Sequence, residues 1–273
     1  MLNFKLRGYL TPEDFSGSDT ERIQKALDTS HSQDIGRVVL SGSYEVDKTL
    51  FVHPMTDIVF EKATLSATGA FPLLANKNLD EDQKHFYCFR DEFITLRGEG
   101  RIEGEVVLYN AFRVKINGID FGGGLKLVFT EEVRLYNSNF LGKCGVLIGM
   151  GANNFIMQNL SSDCDGPAVV MDTSYISYDY VVGKEPDIHD IILQDSSFGA
   201  SSPAILLNST ADAGIYNIQI DHISFDGTVL SLGTKDNEVP PERYFNLTAE
   251  NLTSKQGDKI ILNSPTKNCF FEV

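Results

Sequence analysis

An apolar residue, any residue, a second apolar residue, any residue, then a small or polar residue: this pattern recurs six times between Val114 and Asn251. The repeats begin at Val114, Val133, Phe155, Ile191, Ile218 and Leu247, spaced by 19, 22, 36, 27 and 29 residues. Such alternation predicts short strands with one buried face. The fifth position holds Gly118, Asn137, Asn159, Asp195, His222 and Asn251. Glycine, asparagine and aspartate accept a left-handed backbone at a turn, and stacked side chains there can bond along the axis. A second short apolar run follows each turn: GLKLVF, GVLIG, PAVVM, PAILL, VLSL and KIIL.

One such strand pair cannot bury its own apolar face, whereas stacked pairs build a continuous core, as in a solenoid. An antiparallel sandwich also has many short strands, but it calls for hairpin turns, and Asn-Gly occurs once, at Asn117–Gly118. The expected fold is therefore all-β, a parallel β-helix forming one domain over residues 1–273, its coils starting near residue 36. Less regular coils begin at Asp57 and Phe93.

One segment reads as helix. In SGSDTERIQKALDTS, Ser18 and Glu21 have capping-box spacing, and Ile23, Ala26 and Leu27 share a face, which predicts a helix over 18–29.

The first hundred residues resemble the opening of the pectate-lyase and polygalacturonase superfamily. The matching residues are Asp19, Thr20, Ile23 and Gln24, the strand Gly36 to Tyr44, and the turn glycines Gly98, Gly100 and Gly104. The resemblance implies a single-stranded right-handed parallel β-helix whose helix plugs the N-terminal end. The polygalacturonase activity motifs are not reproduced. Matched by register, the Asn-Thr-Asp run falls on Gly142, Lys143 and Cys144, and the aspartate pair on Cys164 and Asp165. The Gly-His-Gly coil falls on GASSPAILL, and no Arg-x-Lys occurs in the last hundred residues.

Asp163 and Asp165 precede a second strand, where the resemblance puts the active-site groove. Neighbouring acids in a turn can split their affinities for a proton, which suits one as acid and the other as base. Ser-Ser-Asp-Cys-Asp-Gly-Pro is equally a good turn. The pattern demands no cofactor and no metal; calcium between the two acids is the one cofactor it accommodates. Lys143 joins them as a candidate catalytic residue, for holding a substrate carboxylate or serving a lyase reaction.

Lys115 and Arg134 fall on one register position of successive coils, and Lys126 and Lys143 on the second strands of the same coils. Together they offer a basic patch for a carboxylated or sulfated sugar, unless Glu131 and Glu132 neutralise it. The insertion DTSYISYDYVVGKEPDIHD places Tyr175, Tyr178, Tyr180 and His189 close together, as one wall of a groove or as a satellite core. NKNLDEDQKHFYCFRDEF reads as an exposed loop that could form the opposite wall.

The net charge of −15 argues against nucleic acid and anionic membranes as partners. Cys88, Cys144, Cys164 and Cys269 lack zinc spacing, and Cys144 and Cys164 read more readily as buried thiols than as a pair. The N-terminus has no apolar core of a signal peptide, so the compartment stays open between cytoplasm, virion and secretion with a removed signal. The expected partner is a polysaccharide or oligosaccharide, processed by a glycosidase or lyase mechanism. The alternative is a non-catalytic glycan-binding or structural module of a phage tail or surface assembly. The apolar ending NCFFEV predicts a homo-oligomer formed through that end of the solenoid.

Overall fold

The computed structural model describes residues 8–80, 85–143, 145–176, 179–199, 203–233, 239–254 and 260–272. They form a right-handed parallel β-helix. Short strands stack in chain order into one nine-stranded sheet, from Leu50–Val52 through Leu125–Val128, Val146–Gly149, Val169–Asp172 and Ile205–Asn208 to Ile260–Leu262. The other sheet is built from longer strands that bend partway, such as Ile188–Phe198, Ile215–Phe225 and Tyr244–Ser254. Its ladders are parallel and join residues of the predicted repeat: Val133 to Phe155, Phe155 to Ile191, Ile191 to Ile218, and Ile218 to Leu247.

The alternation works as expected. All six leading apolar residues are buried, and so are Ile116, Leu135, Met157, Leu193, Ile220 and Ala249 two positions on. Full burial of an aliphatic side chain contributes about 1.5–3 kcal/mol, and these columns repeat it on every coil. Past the bend the inward column is aromatic in part, with Phe121 and Phe140 stacked 5.2 Å apart.

Each long strand bends at the fifth repeat position. Gly118, Asn137, Asn159, Asp195, His222 and Asn251 all have left-handed φ, between +49° and +79°. The side chains bond along the axis: Asn137 Nδ2 donates to Asn117 Oδ1 (2.7 Å), and Asn159 Nδ2 to Asn137 Oδ1 (2.6 Å). A second left-handed column lies one residue before each leading apolar residue, at Arg113, Glu132, Asn154, Asp190, Asn217 and Asn246. Its amides also form a ladder, from Asn246 to Asn217 (3.1 Å) and from Asn217 to Asp190 (2.9 Å).

The helix α1 spans Asp19–Ser32, three residues longer than expected at its C-terminal end. The Ser18–Glu21 capping box is formed, and Ile23, Ala26 and Leu27 are buried. It covers the first coil: Asp19 Oδ2 accepts from the Glu45 N–H and Thr20 Oγ1 from the Asp47 N–H, both at 2.9 Å. At the other end Ile261, Leu262 and Phe270 are 40%, 51% and 55% exposed. Cys164 is buried, its thiol donating to the Phe140 carbonyl at 3.3 Å, while Cys144 lies outside the described residues.

Candidate functional site

The bend of the long strands makes a groove on the outside of the solenoid. Two columns line it over five successive coils. One is the left-handed column Asn137, Asn159, Asp195, His222 and Asn251; the other, two residues on, is Asn139, Ser161, Ser197, Ser224 and Thr253. The cavity they enclose is about 490 Å³. It continues along the axis past Asn137 and Asn139 to Asp120, Gly118, Arg101, Glu99 and Lys62. Each side chain of the second column points outward because its neighbours, such as Phe140, Ser162, Phe198 and Phe225, point into the core. Their sequence signal is a small polar residue two positions after the turn, a regularity that the apolar pattern hides.

Asp163 and Asp165 sit just beyond this groove. Asp163 follows Ser161 by two residues on the same strand, Ser161–Cys164, and so shares its outward face, about 7 Å farther along. Asp165 occupies the next bend. Its N–H donates to the Gly142 carbonyl at 2.9 Å, which sets Asp165 level with Lys143 on the preceding coil. Gly166 permits this close approach, since a Cβ there would lie 2.7 Å from the Lys143 carbonyl oxygen. Asp163, Asp165 and Lys143 are all exposed. Backbone register thus sets Asp165 beside Lys143, with Asp163 two residues earlier on the adjoining strand.

The other basic residues are dispersed. Lys115 and Arg134 do pair in register on the long-strand sheet. Arg134 Nη1 donates to the carbonyls of Val133 (3.0 Å) and Asn154 (3.1 Å). Lys126 faces outward from the short-strand sheet instead, bound to Glu105 Oε1 at 2.5 Å and lying 5.4 Å from the Tyr175 ring centre. Burial opposes the charge of Lys126, but the Glu105 and Tyr175 hydrogen bonds outweigh it and hold the ammonium above its ordinary range. Beyond Lys126 the same register row continues as Leu147, Val170 and Leu206, which supply no acid or base.

Tyr175 and Tyr180 do not stand free over a groove. Tyr175 packs against a satellite core of Tyr109, Val128, Phe129 and Val181, and Tyr180 meets the Phe129 ring edge-on at 5.4 Å. Tyr178 lies outside the described residues. The two insertions lie on the same side, joined by a parallel bridge between Phe86 and Val182, rather than forming opposite walls. Glu131 Oε2 pins both to the solenoid, accepting from Arg90 Nη1 (2.9 Å), Lys184 Nζ (3.1 Å) and Tyr87 OH (3.1 Å). His189 is held in a column of rings, parallel to Tyr216 at 4.9 Å, while Tyr216 stacks on Phe245 at 4.5 Å. Its Nδ1 lies 2.7 Å from Asp190 Oδ2.

Calcium takes about six to eight oxygen ligands. Among the described residues no three histidine, cysteine or acidic side chains are grouped to hold a metal ion.

No protein-family profile and no curated protein matches the sequence. Among solved structures the chain is similar to PfbA, a surface protein and adhesin of Streptococcus pneumoniae. The TM-score is 0.58 at 13% identity, over 97% of this chain and 100% of that one. It is also similar to a tailspike protein of E. coli bacteriophage HK620 in complex with a pentasaccharide, with TM-score 0.68 at 12% identity. That match covers 97% of this chain and 53% of the tailspike, so the chain spans about half the tailspike's length. A hyperthermoactive exopolygalacturonase from Thermotoga maritima gives 0.58 at 11% identity, over 93% and 75%. Identities this low show the fold alone, the pectate-lyase-like right-handed parallel β-helix.

Proposed function

We propose that this protein binds a polysaccharide or oligosaccharide along the outside of its solenoid and acts on it at Asp163, Asp165 and Lys143. The observation that carries this reading is the adjacency of the groove and the acids: Ser161 lines the one, and Asp163 follows two residues later on the same face. The similar structures support it by their kind, an adhesin, a tailspike holding a pentasaccharide and an exopolygalacturonase. In hydrolysis, one carboxyl group would protonate the glycosidic oxygen as its bond to the anomeric carbon breaks. Water would add to that carbon, giving its proton to the second carboxylate. A lyase reaction would instead need a base for the proton alpha to a sugar carboxylate, with Lys143 stabilising the charge that develops.

The test is a panel of neutral and uronic-acid polysaccharides, with and without calcium, following reducing ends and the ultraviolet absorbance of unsaturated products together. Turnover that disappears in Asp165→Asn supports the enzyme reading, and the signal that rises separates hydrolase from lyase. A second reading, a non-catalytic glycan-binding module, is favoured by the surroundings of the acids. Among the described residues no side chain donates a hydrogen bond to Asp163 or Asp165. Retention of a glycan without turnover would select that reading. The exposed Ile261, Leu262 and Phe270 offer a face for self-association, to be measured by sedimentation across micromolar concentrations.

A further inference from the structure

We infer that the glycan taken by the corner groove is a linear chain of low negative charge, laid parallel to the solenoid axis with one sugar facing each coil. This rests on the saccharide reading above and names the substrate class of that site.

The first ground is spacing. Parallel strands repeat at about 4.8 Å, close to the advance of one pyranose ring in an extended chain. The groove presents the same pair of polar positions on five coils in succession. A polymer of period one coil meets the same groups at every step; a branched or compact ligand does not.

The second ground is hydrogen-bonding capacity. A side-chain amide has two N–H donors and an acceptor oxygen with two lone pairs. Asn159 uses one donor on Asn137, and Asn137 one on Asn117. Each amide therefore keeps one N–H donor beyond that bond, and the hydroxyls of Ser197, Ser224 and Thr253 line the same groove as donors or acceptors. Sugar hydroxyls are both donors and acceptors and satisfy such a surface in place of water.

The third ground is charge. Among the described residues, those lining the five-coil stretch include no lysine or arginine, and they include Asp195. His222 Nδ1 lies 2.8 Å from Asp221 Oδ1. Farther along, Lys62 and Arg101 are accompanied by Glu99 and Asp120, and Arg101 is paired with Glu103. With a chain net charge of −15, a polyuronate meets no cation among the described lining residues and is repelled as it approaches. A chain without carboxylates also has no proton alpha to one, so elimination has no substrate here.

The experiment is isothermal titration of the whole chain with linear neutral oligosaccharides of glucose, mannose, xylose and galactose, each in a series of increasing length. Oligogalacturonates of the same lengths run beside them. The expected result is affinity that rises with each added sugar until the five coils are spanned, then levels, with oligogalacturonates weaker at low salt. Ser224→Tyr fills the groove from an exposed strand position and should weaken neutral binding about tenfold, about 1.4 kcal/mol, with an unchanged circular dichroism spectrum. His222→Asn keeps the left-handed turn and serves if the tyrosine variant fails to fold; it should shift affinity by severalfold. Tighter binding of oligogalacturonates, no dependence on length, or binding indifferent to both variants overturns the inference while leaving saccharide recognition standing. Absence of binding to every oligosaccharide overturns the saccharide reading itself, and this inference with it.

Discussion

Gln24 on α1 and Phe51 on the first short strand exchange two hydrogen bonds: Gln24 Nε2 donates to the Phe51 carbonyl at 3.0 Å, and the Phe51 N–H donates to Gln24 Oε1 at 2.8 Å. The amide thus imitates the strand that would otherwise pair with that edge. An open sheet edge leaves backbone groups unmatched and invites association. Gln24→Ala removes both bonds at a partly buried site and should cost about 1–3 kcal/mol. Gln24→Glu keeps the acceptor and loses the donor, so its cost should fall between the alanine variant and wild type. Urea unfolding followed by circular dichroism ranks the three.

Gly118 and His222 hold the same turn position with opposite tolerance. At Gly118, φ is +79° and a Cβ would come within 2.3 Å of the Gly98 carbonyl oxygen, so even alanine forces the coils apart. Gly118→Ala should therefore cost more than about 2 kcal/mol, as left-handed strain and overpacking add. His222 already carries a Cβ at φ +52° and is exposed, so His222→Asn should leave the thermal midpoint within a degree or two. Differential scanning fluorimetry of the pair separates a steric turn from a merely polar one.

The same two residues show how far the fold could be read from the chain. Apolar alternation at Val133 and Leu135 or at Ile218 and Ile220 reports burial directly, so the core columns and the turn column were legible. The second left-handed column leaves a fainter mark: Asn154, Asp190, Asn217 and Asn246 stand one residue before the last four leading apolar positions, but Arg113 and Glu132 hold the first two. The groove is hidden for a similar reason: Ser197 and Ser224 are individually ordinary and gain meaning only once the coils are in register. The candidate residues divide by the same logic. Asp165 falls beside Lys143, and Asp163 two residues earlier, because their register is local to two coils. Lys126 shares its coil with Lys115, but the coil turns between its two strands and carries Lys126 to another sheet. That two insertions meet each other across a bridge from Phe86 to Val182 depends on loop paths, which no periodicity encodes.

Lys126 and Lys143 should respond differently to loss of charge. Lys126 is engaged by Glu105 and Tyr175, so Lys126→Met should change glycan affinity by less than about twofold. Lys143 is exposed beside the acids, with no ion pair among the described residues, so Lys143→Met should alter binding or turnover on any glycan the protein accepts. Equal, small effects of both substitutions would remove Lys143 from the site.

Glu131 should prove the anchor of both insertions. Lys184 is 7% exposed, and Glu131 is the carboxylate that meets it. Burial opposes ionisation of Glu131, but attraction to Lys184 and hydrogen bonds from Lys184 and Tyr87 outweigh it and hold the carboxyl below its ordinary range. Burial also lowers the Lys184 ammonium, and Glu131 offsets this only in part. Glu131→Ala leaves that ammonium buried without its partner and should cost about 3 kcal/mol, the low end for a broken buried pair, because Glu131 keeps 22% of its own side chain exposed. Proteolysis should then cut first within the insertions, at 85–92 or 179–187, while the coils resist. The pH dependence follows from the direction of the shift. A carboxyl whose folded affinity for protons is depressed contributes its full stability above the unfolded value, about 4.3, and loses it as pH falls through the folded value. The stability gap between wild type and Glu131→Gln should therefore be constant near neutrality and close below about pH 4; a gap that widens with acid would mean the clamp is not carried by the Glu131 charge.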